Sequence, residues 1–106
     1  MYYTYILRCE DDSVYTGITN DIQRRFRQHC SGKGAKYTRS RKPVKILAVF
    51  VSDDRSEASR LEYRIKQLSK KQKEYICENK TLDILENSID IKKYTYIEGE
   101  SIGGYP

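Results

Sequence analysis

Apolar and polar positions along the first twenty residues follow a strand rhythm. Tyr2 to Arg8 is rich in aromatic and β-branched side chains, and Val14 to Ile18 is a second short run of the same kind. Between them Glu10-Asp11-Asp12-Ser13 reads as a polar turn. Two such runs this close in sequence form an antiparallel hairpin most simply, and a register that puts both on one face brings Tyr5 near Tyr15. The period then lengthens. Asn20 or Asp21 can cap a helix to about Cys30, in which Ile22, Phe26 and Cys30 form the buried stripe. Ala35 to Arg41 has room for one helical turn, and Pro43 introduces Val44 to Val51, the most apolar run and the predicted central strand. Asp54 and Glu57 are placed like a capping pair for a helix whose stripe is Ala58, Leu61, Ile65 and Leu68, and Ser69 offers a cap for a basic helix to about Glu78.

These elements predict an α/β (α+β) domain over residues 1–80, a small and mainly antiparallel three-stranded sheet flanked by helices. From Lys80 onward the pattern weakens. Ile89, Ile91, Tyr94 and Tyr96 show some alternation, and Gly99, Gly103, Gly104 and Pro106 end the chain as a loop, so residues 81–106 read as a loosely docked or mobile tail.

Length and composition narrow the class. A chain of 106 residues has room for one core and little for a second. With 33% charged and 38% hydrophobic residues it fits neither the membrane class nor the fibrous or wholly disordered ones. No basic leader with an apolar core opens the sequence and no run reaches the length of a membrane span, which makes the cytoplasm the expected location. Cys9, Cys30 and Cys77 are odd in number, contain no CxxC pair and accompany a single histidine, so neither a disulfide framework nor a structural zinc site is supported.

Charge changes the picture more. Residues 1–80 carry 18 Lys and Arg against 10 Asp and Glu, whereas residues 81–106 carry 2 against 5. Gln23 to Lys45 holds nine basic side chains and no acidic one, a density that points to a polyanion partner. Nucleic acid fits better than an anionic membrane, because Gly32, Gly34 and Pro43 prevent one long amphipathic helix.

Three positions stand out on the helices. At about 100° per residue Arg25 and His29 fall on the edge of the Ile22–Phe26–Cys30 stripe, while Arg24 and Arg27 point away from it. A guanidinium at that margin either stacks on a neighbour or projects into a cleft. His29 taken alone reads first as a satisfied structural histidine. Glu62 lies at the edge of its own stripe, where a surface glutamate is the ordinary reading and a metal ligand the sharper one.

The ordered set of Tyr3-Thr4-Tyr5-Ile6-Leu7, Val14-Tyr15-Thr16-Gly17, Asn20-Asp21, Arg24-Arg25-Phe26 and His29 resembles the GIY-YIG nuclease superfamily. It is most similar to the small stand-alone bacterial members, which share Gly32-Lys33-Gly34-Ala35-Lys36-Tyr37-Thr38-Arg39 and Leu61-Glu62 followed by Ile65-Lys66. The resemblance covers about residues 2–72. It puts Tyr5 at the GIY tyrosine, Tyr15 and Gly17 at the first and last positions of YIG, Arg25 at the catalytic arginine, His29 at a tyrosine-or-histidine position near the phosphate and Glu62 at the metal-binding glutamate. Tyr3 replaces the GIY glycine and Thr16 the YIG isoleucine. Glu74 stands where several relatives carry an auxiliary asparagine.

The resemblance implies a metal-dependent endonuclease acting on DNA. Glu62 would offer an oxygen ligand to one Mg²⁺ or Mn²⁺, and Arg25 a planar fork of donors to the charge developing on phosphorus. Tyr5 is the favoured general base and Tyr15 the residue that positions water or phosphate, with His29 a third candidate for the base. Lys33, Lys36, Arg39, Arg41 and Lys42 would form a rim holding the backbone without reading sequence. The alternatives are a noncatalytic module binding DNA or RNA, and an accessory domain brought to its target by a partner protein. Oligomeric state and substrate form are left open.

Overall fold

The computed structural model describes residues 1–98. Strand β1 (Tyr2–Cys9) turns into β2 (Val14–Thr19), α1 (Ile22–Cys30) and the short α2 (Lys36–Ser40) follow, and β3 (Pro43–Ser52) returns beside β1. Then come α3 (Arg55–Lys66), α4 (Lys70–Asn79), two 3₁₀ turns at Asp83–Leu85 and Ile91–Lys93, and β4 (Thr95–Tyr96). The sheet order is β2-β1-β3-β4 and every pairing is antiparallel.

Both faces of the sheet are covered, which is why β3 reads as a nearly continuous apolar run rather than an alternating one. On one face Tyr5, Leu7, Ile46 and Val49 pack with Ile22 and Phe26 of α1. On the other, Ile6, Ala48 and Phe50 pack with Leu61 and Ile65 of α3 and Ile76 of α4. The switch of parity along β3, from Ile46 to Val49 on one face, comes from an irregularity: Ile6 pairs with Ala48 but Leu7 with Ile46, so Leu47 is an extra residue opposite β1.

The helix signals act as their chemistry requires. Asp21 accepts from the Arg24 backbone N–H, Asp54 from that of Glu57, and Ser69 exchanges reciprocal bonds with Gln72 in a full capping box. The predicted stripe of α3 is buried at Ala58, Leu61 and Ile65, while Leu68 lies beyond the helix and packs at its end.

Two expectations change. The sheet has four strands, not three, because Thr95 and Tyr96 pair with Val51 and Phe50 and Ile97 N–H donates to Val49 O at 2.9 Å. A two-residue strand is too short to leave an alternating pattern. The described part of the tail is also packed, not loosely docked: Leu82, Leu85, Ile89 and Tyr94 are buried in the α3–α4 core, and Tyr94 Oη donates to Glu57 O at 2.7 Å. Its apolar residues sit in 3₁₀ turns and irregular backbone, whose spacing matches neither a period of 2 nor one of 3.6. The expectation for residues 99–106 lies outside the described residues. No helix among the described residues is long and apolar enough to cross a membrane.

Candidate active site

The hairpin register sets the first half of the site. Tyr5 pairs with Gly17 and Leu7 with Tyr15, so Tyr5 and Tyr15 are diagonal neighbours on the α1 face, with ring centroids 6.3 Å apart. Gly17 is the reason Tyr5 can lie across β2. A Cβ there would stand 2.5 Å from Tyr5 Oη and 2.7 Å from its Cζ, so only a glycine leaves room for the ring.

Helix α1 supplies the second half. Arg25 is half-buried, whereas Arg24 and Arg27 are exposed, as the helical spacing predicts. Arg25 Nη1 donates to Gln28 Oε1 at 3.1 Å, and the guanidinium faces the Tyr5 hydroxyl. His29, 1% exposed, lies between the two strands and α2. Its Nε2 is 2.8 Å from Tyr5 Oη and its Nδ1 2.6 Å from Thr38 Oγ1, and its ring centroid is 5.3 Å from that of Tyr15.

Burial governs the protonation of this cluster. It pushes the Tyr5 phenol well above the ordinary tyrosine range, an effect that Arg25 opposes. It pulls His29 down to about 4, with help from the Arg25 charge. At neutral pH both partners of the Tyr5–His29 hydrogen bond are therefore uncharged.

Glu62 stands half-buried on α3. Its Oε2 is 3.2 Å from Lys66 Nζ, and that ammonium lies 5.9 Å from the centre of the Tyr15 ring. Glu62 also contributes to the field at Tyr5. Among the described residues no three His, Cys, Asp or Glu side chains gather into a metal cage. A half-buried lone carboxylate fits a hard cation that arrives with a phosphate and keeps most of its waters, which is how Mg²⁺ is ordinarily held.

The rim residues Lys33, Lys36, Arg39, Arg41 and Lys42 are all exposed on the segment between α1 and β3. Arg41 differs from the rest. It is 3.0 Å from Asp11 of the hairpin turn and its guanidinium covers the Tyr37 ring at 4.5 Å, while Tyr37 stacks on Tyr15 at 5.7 Å.

The family model described as the GIY-YIG catalytic domain matches residues 1–76. The chain belongs to the GIY-YIG family. A UPF0213 protein of Cupriavidus necator is 55% identical over 76 residues, 72% of this chain and 83% of that one. Another, from Halobacterium salinarum, is 53% identical over 74 residues, 70% of this chain and 96% of its own. The solution NMR structure of the UPF0213 protein from Bacillus halodurans aligns with a TM-score of 0.50 at 44% identity, covering 83% of this chain and 95% of that one.

Within the GIY-YIG frame, the structure brings Tyr5, Tyr15, Arg25 and His29 together, and Glu62 is linked to them through Lys66, whose ammonium lies over the Tyr15 ring. Sequence reasoning missed Thr38, Gly34 and Lys66 as members of the cluster. Thr38 and Gly34 lie inside the shared segment Gly32–Arg39 but carry no periodic signal. The i,i+4 spacing of Glu62 and Lys66 was the one clue to their pairing.

Proposed function

We propose that this GIY-YIG domain is an endonuclease that hydrolyses DNA phosphodiester bonds with a divalent ion, Mg²⁺ or Mn²⁺. The observation that carries the reading is the buried hydrogen bond between Tyr5 Oη and His29 Nε2 with the Arg25 guanidinium beside it. A module that only holds a polyanion needs surface cations and has no use for a desolvated tyrosine–histidine pair.

Burial raises the phenol, so a resident Tyr5 phenolate is not the base. Instead Tyr5 passes one proton on as it takes another. Its hydroxyl proton moves to His29 Nε2 while the phenol oxygen accepts a proton from the attacking water, and the water oxygen bonds to phosphorus as the P–O bond to the leaving group breaks. No net charge is created on the tyrosine. The negative charge of a bound phosphate raises the proton affinity of His29, so the relay works best with substrate in place. Arg25 donates to the nonbridging oxygens, where charge grows in the transition state. Tyr15, held between Tyr37 and His29, orients the water or phosphate. Glu62 would hold the divalent ion, whose chemistry is charge neutralisation at the phosphate and the departing oxygen.

Lys33, Lys36, Arg39 and Lys42 grip the backbone without regard to sequence. The test is incubation of the purified protein with labelled duplex, flap, branched and single-stranded DNA in Mg²⁺, Mn²⁺ or chelator. Cleavage in the divalent ions and none in chelator is the expected result. Tight binding without cleavage of any substrate would instead establish a noncatalytic nucleic-acid-binding module, for which the Glu62–Lys66 ion pair is then an ordinary helix-surface contact.

A further inference from the structure

The short helix α2 meets the site twice, through the Tyr37 ring on Tyr15 and through the Thr38 hydroxyl on His29. Thr38, 1% exposed, places Oγ1 2.6 Å from His29 Nδ1 and 3.0 Å from the carbonyl oxygen of Ala35. A hydroxyl has one proton and the carbonyl can only accept. Ala35 O also accepts from the Thr38 and Arg39 backbone N–H groups, and with the Thr38 proton directed to this same carbonyl the threonine oxygen is the acceptor in the contact with His29. The opposite side of the ring agrees. The Tyr5 oxygen can accept from Arg25 while its proton points at a bare Nε2.

We infer that Thr38 is a positioning residue that fixes His29 in the tautomer with its proton on Nδ1, leaving Nε2 bare toward the Tyr5 hydroxyl. The kinetic consequence rests on the proposed Tyr5–His29 relay, whereas the tautomer is a property of the free protein. Gly34 makes the contact reachable. A Cβ at Gly34 would overlap His29 Nδ1 and stand 2.8 Å from its Cα, so a side chain there would lift the start of α2 off the ring. The groups facing the imidazole are Tyr5 from β1, Tyr15 from β2, Thr38 from α2 and Arg25 from its own helix. None of them is a carboxylate that could hold the Nδ1 proton in place of Thr38. The segment that carries the basic rim is thus the one that sets the proton on the histidine.

The chain has a single histidine, so ¹⁵N NMR of the ring reads the tautomer without assignment ambiguity. In the parent protein near pH 7 Nδ1 should be the protonated, pyrrole-type nitrogen and Nε2 the pyridine-type one. Thr38→Val should move the ring toward the other tautomer or a mixture, and Thr38→Ser should keep the parent pattern. In single-turnover cleavage Thr38→Val should be slower by about tenfold to a hundredfold, the scale on which loss of a histidine's orienting partner is felt, with DNA affinity unchanged and Thr38→Ser restored. A parent protein protonated on Nε2, or a Thr38→Val ring with the parent tautomer, would overturn the inference. A parent with the assigned tautomer that cleaves no DNA would leave Thr38 in this role and overturn the nuclease reading instead.

Discussion

Gly17 and Arg25 show how much of the site is decided by single residues. With the Tyr5 hydroxyl 2.5 Å from where a Cβ would stand, Gly17→Ala must displace the phenol or part the hairpin. We expect a loss of about 1–3 kcal/mol in urea denaturation, the usual cost of overpacking, together with most of the cleavage activity. A variant as stable and as active as the parent would show that the ring has somewhere else to go. Arg25→Ala should remove most cleavage with little effect on folding. Arg24→Ala and Arg27→Ala, both exposed, should weaken DNA binding and leave turnover in place. Equal losses for all three in single-turnover assays would mean that charge density matters and not one placed guanidinium. Arg25 was legible before the structure because helical geometry alone separates it from its two neighbours. Thr38 was not, since its role depends on α2 folding back onto α1, and nothing local in Lys36-Tyr37-Thr38-Arg39 encodes that approach.

At the scale of elements, the parts that announce themselves are those with a cap, a period and a stop. Helices α1, α3 and α4 were legible from Asp21, Asp54 and Ser69, and the first two also from their buried stripes. Strand β4 and the two 3₁₀ turns were hidden because they have no period to read, although Leu82, Leu85, Ile89 and Tyr94 complete the core under α3 and α4. The fit of α1 against β1 and α2 has a measurable consequence through His29. Its folded-state pKa of about 4 lies below the 6.5 of an unfolded histidine. The unfolded chain thus binds more protons between those values, so the contribution is full above pH 6.5 and is lost as the pH falls toward 4. The shift corresponds to about 3 kcal/mol. Urea unfolding at pH 7.5 and pH 4.5 should show the parent losing more stability than His29→Gln, the difference between the two isolating the histidine from the carboxylates. Identical losses in both proteins would contradict the buried neutral imidazole.

The whole molecule divides its charge and its faces. The basic segment between α1 and β3 lies on the side of the sheet that carries Tyr5 and Tyr15, and Leu82, Leu85, Ile89 and Tyr94 of the more acidic stretch 81–98 pack with α3 and α4 on the other. Charge asymmetry was plain in the sequence. What it could not give was the pairing of Arg41 with Asp11, which takes one rim cation out of the free set. With Lys33, Lys36, Arg39 and Lys42 on phosphates, log K against log salt should fall with a slope of about −3.6 and depend little on sequence. An affinity flat from low to moderate salt would remove the polyanion partner.

The central claim is that this cluster hydrolyses a phosphodiester with a divalent ion held at Glu62. Glu62→Gln tests it most directly, because the change keeps shape and helix propensity nearly constant while removing the carboxylate charge. Binding and single-turnover cleavage should be measured on the same labelled DNA in Mg²⁺ for parent and variant. The parent should cut, the variant should bind as well or better, and its cleavage should fall by about two orders of magnitude or more. A variant that cuts at the parental rate would contradict the claim.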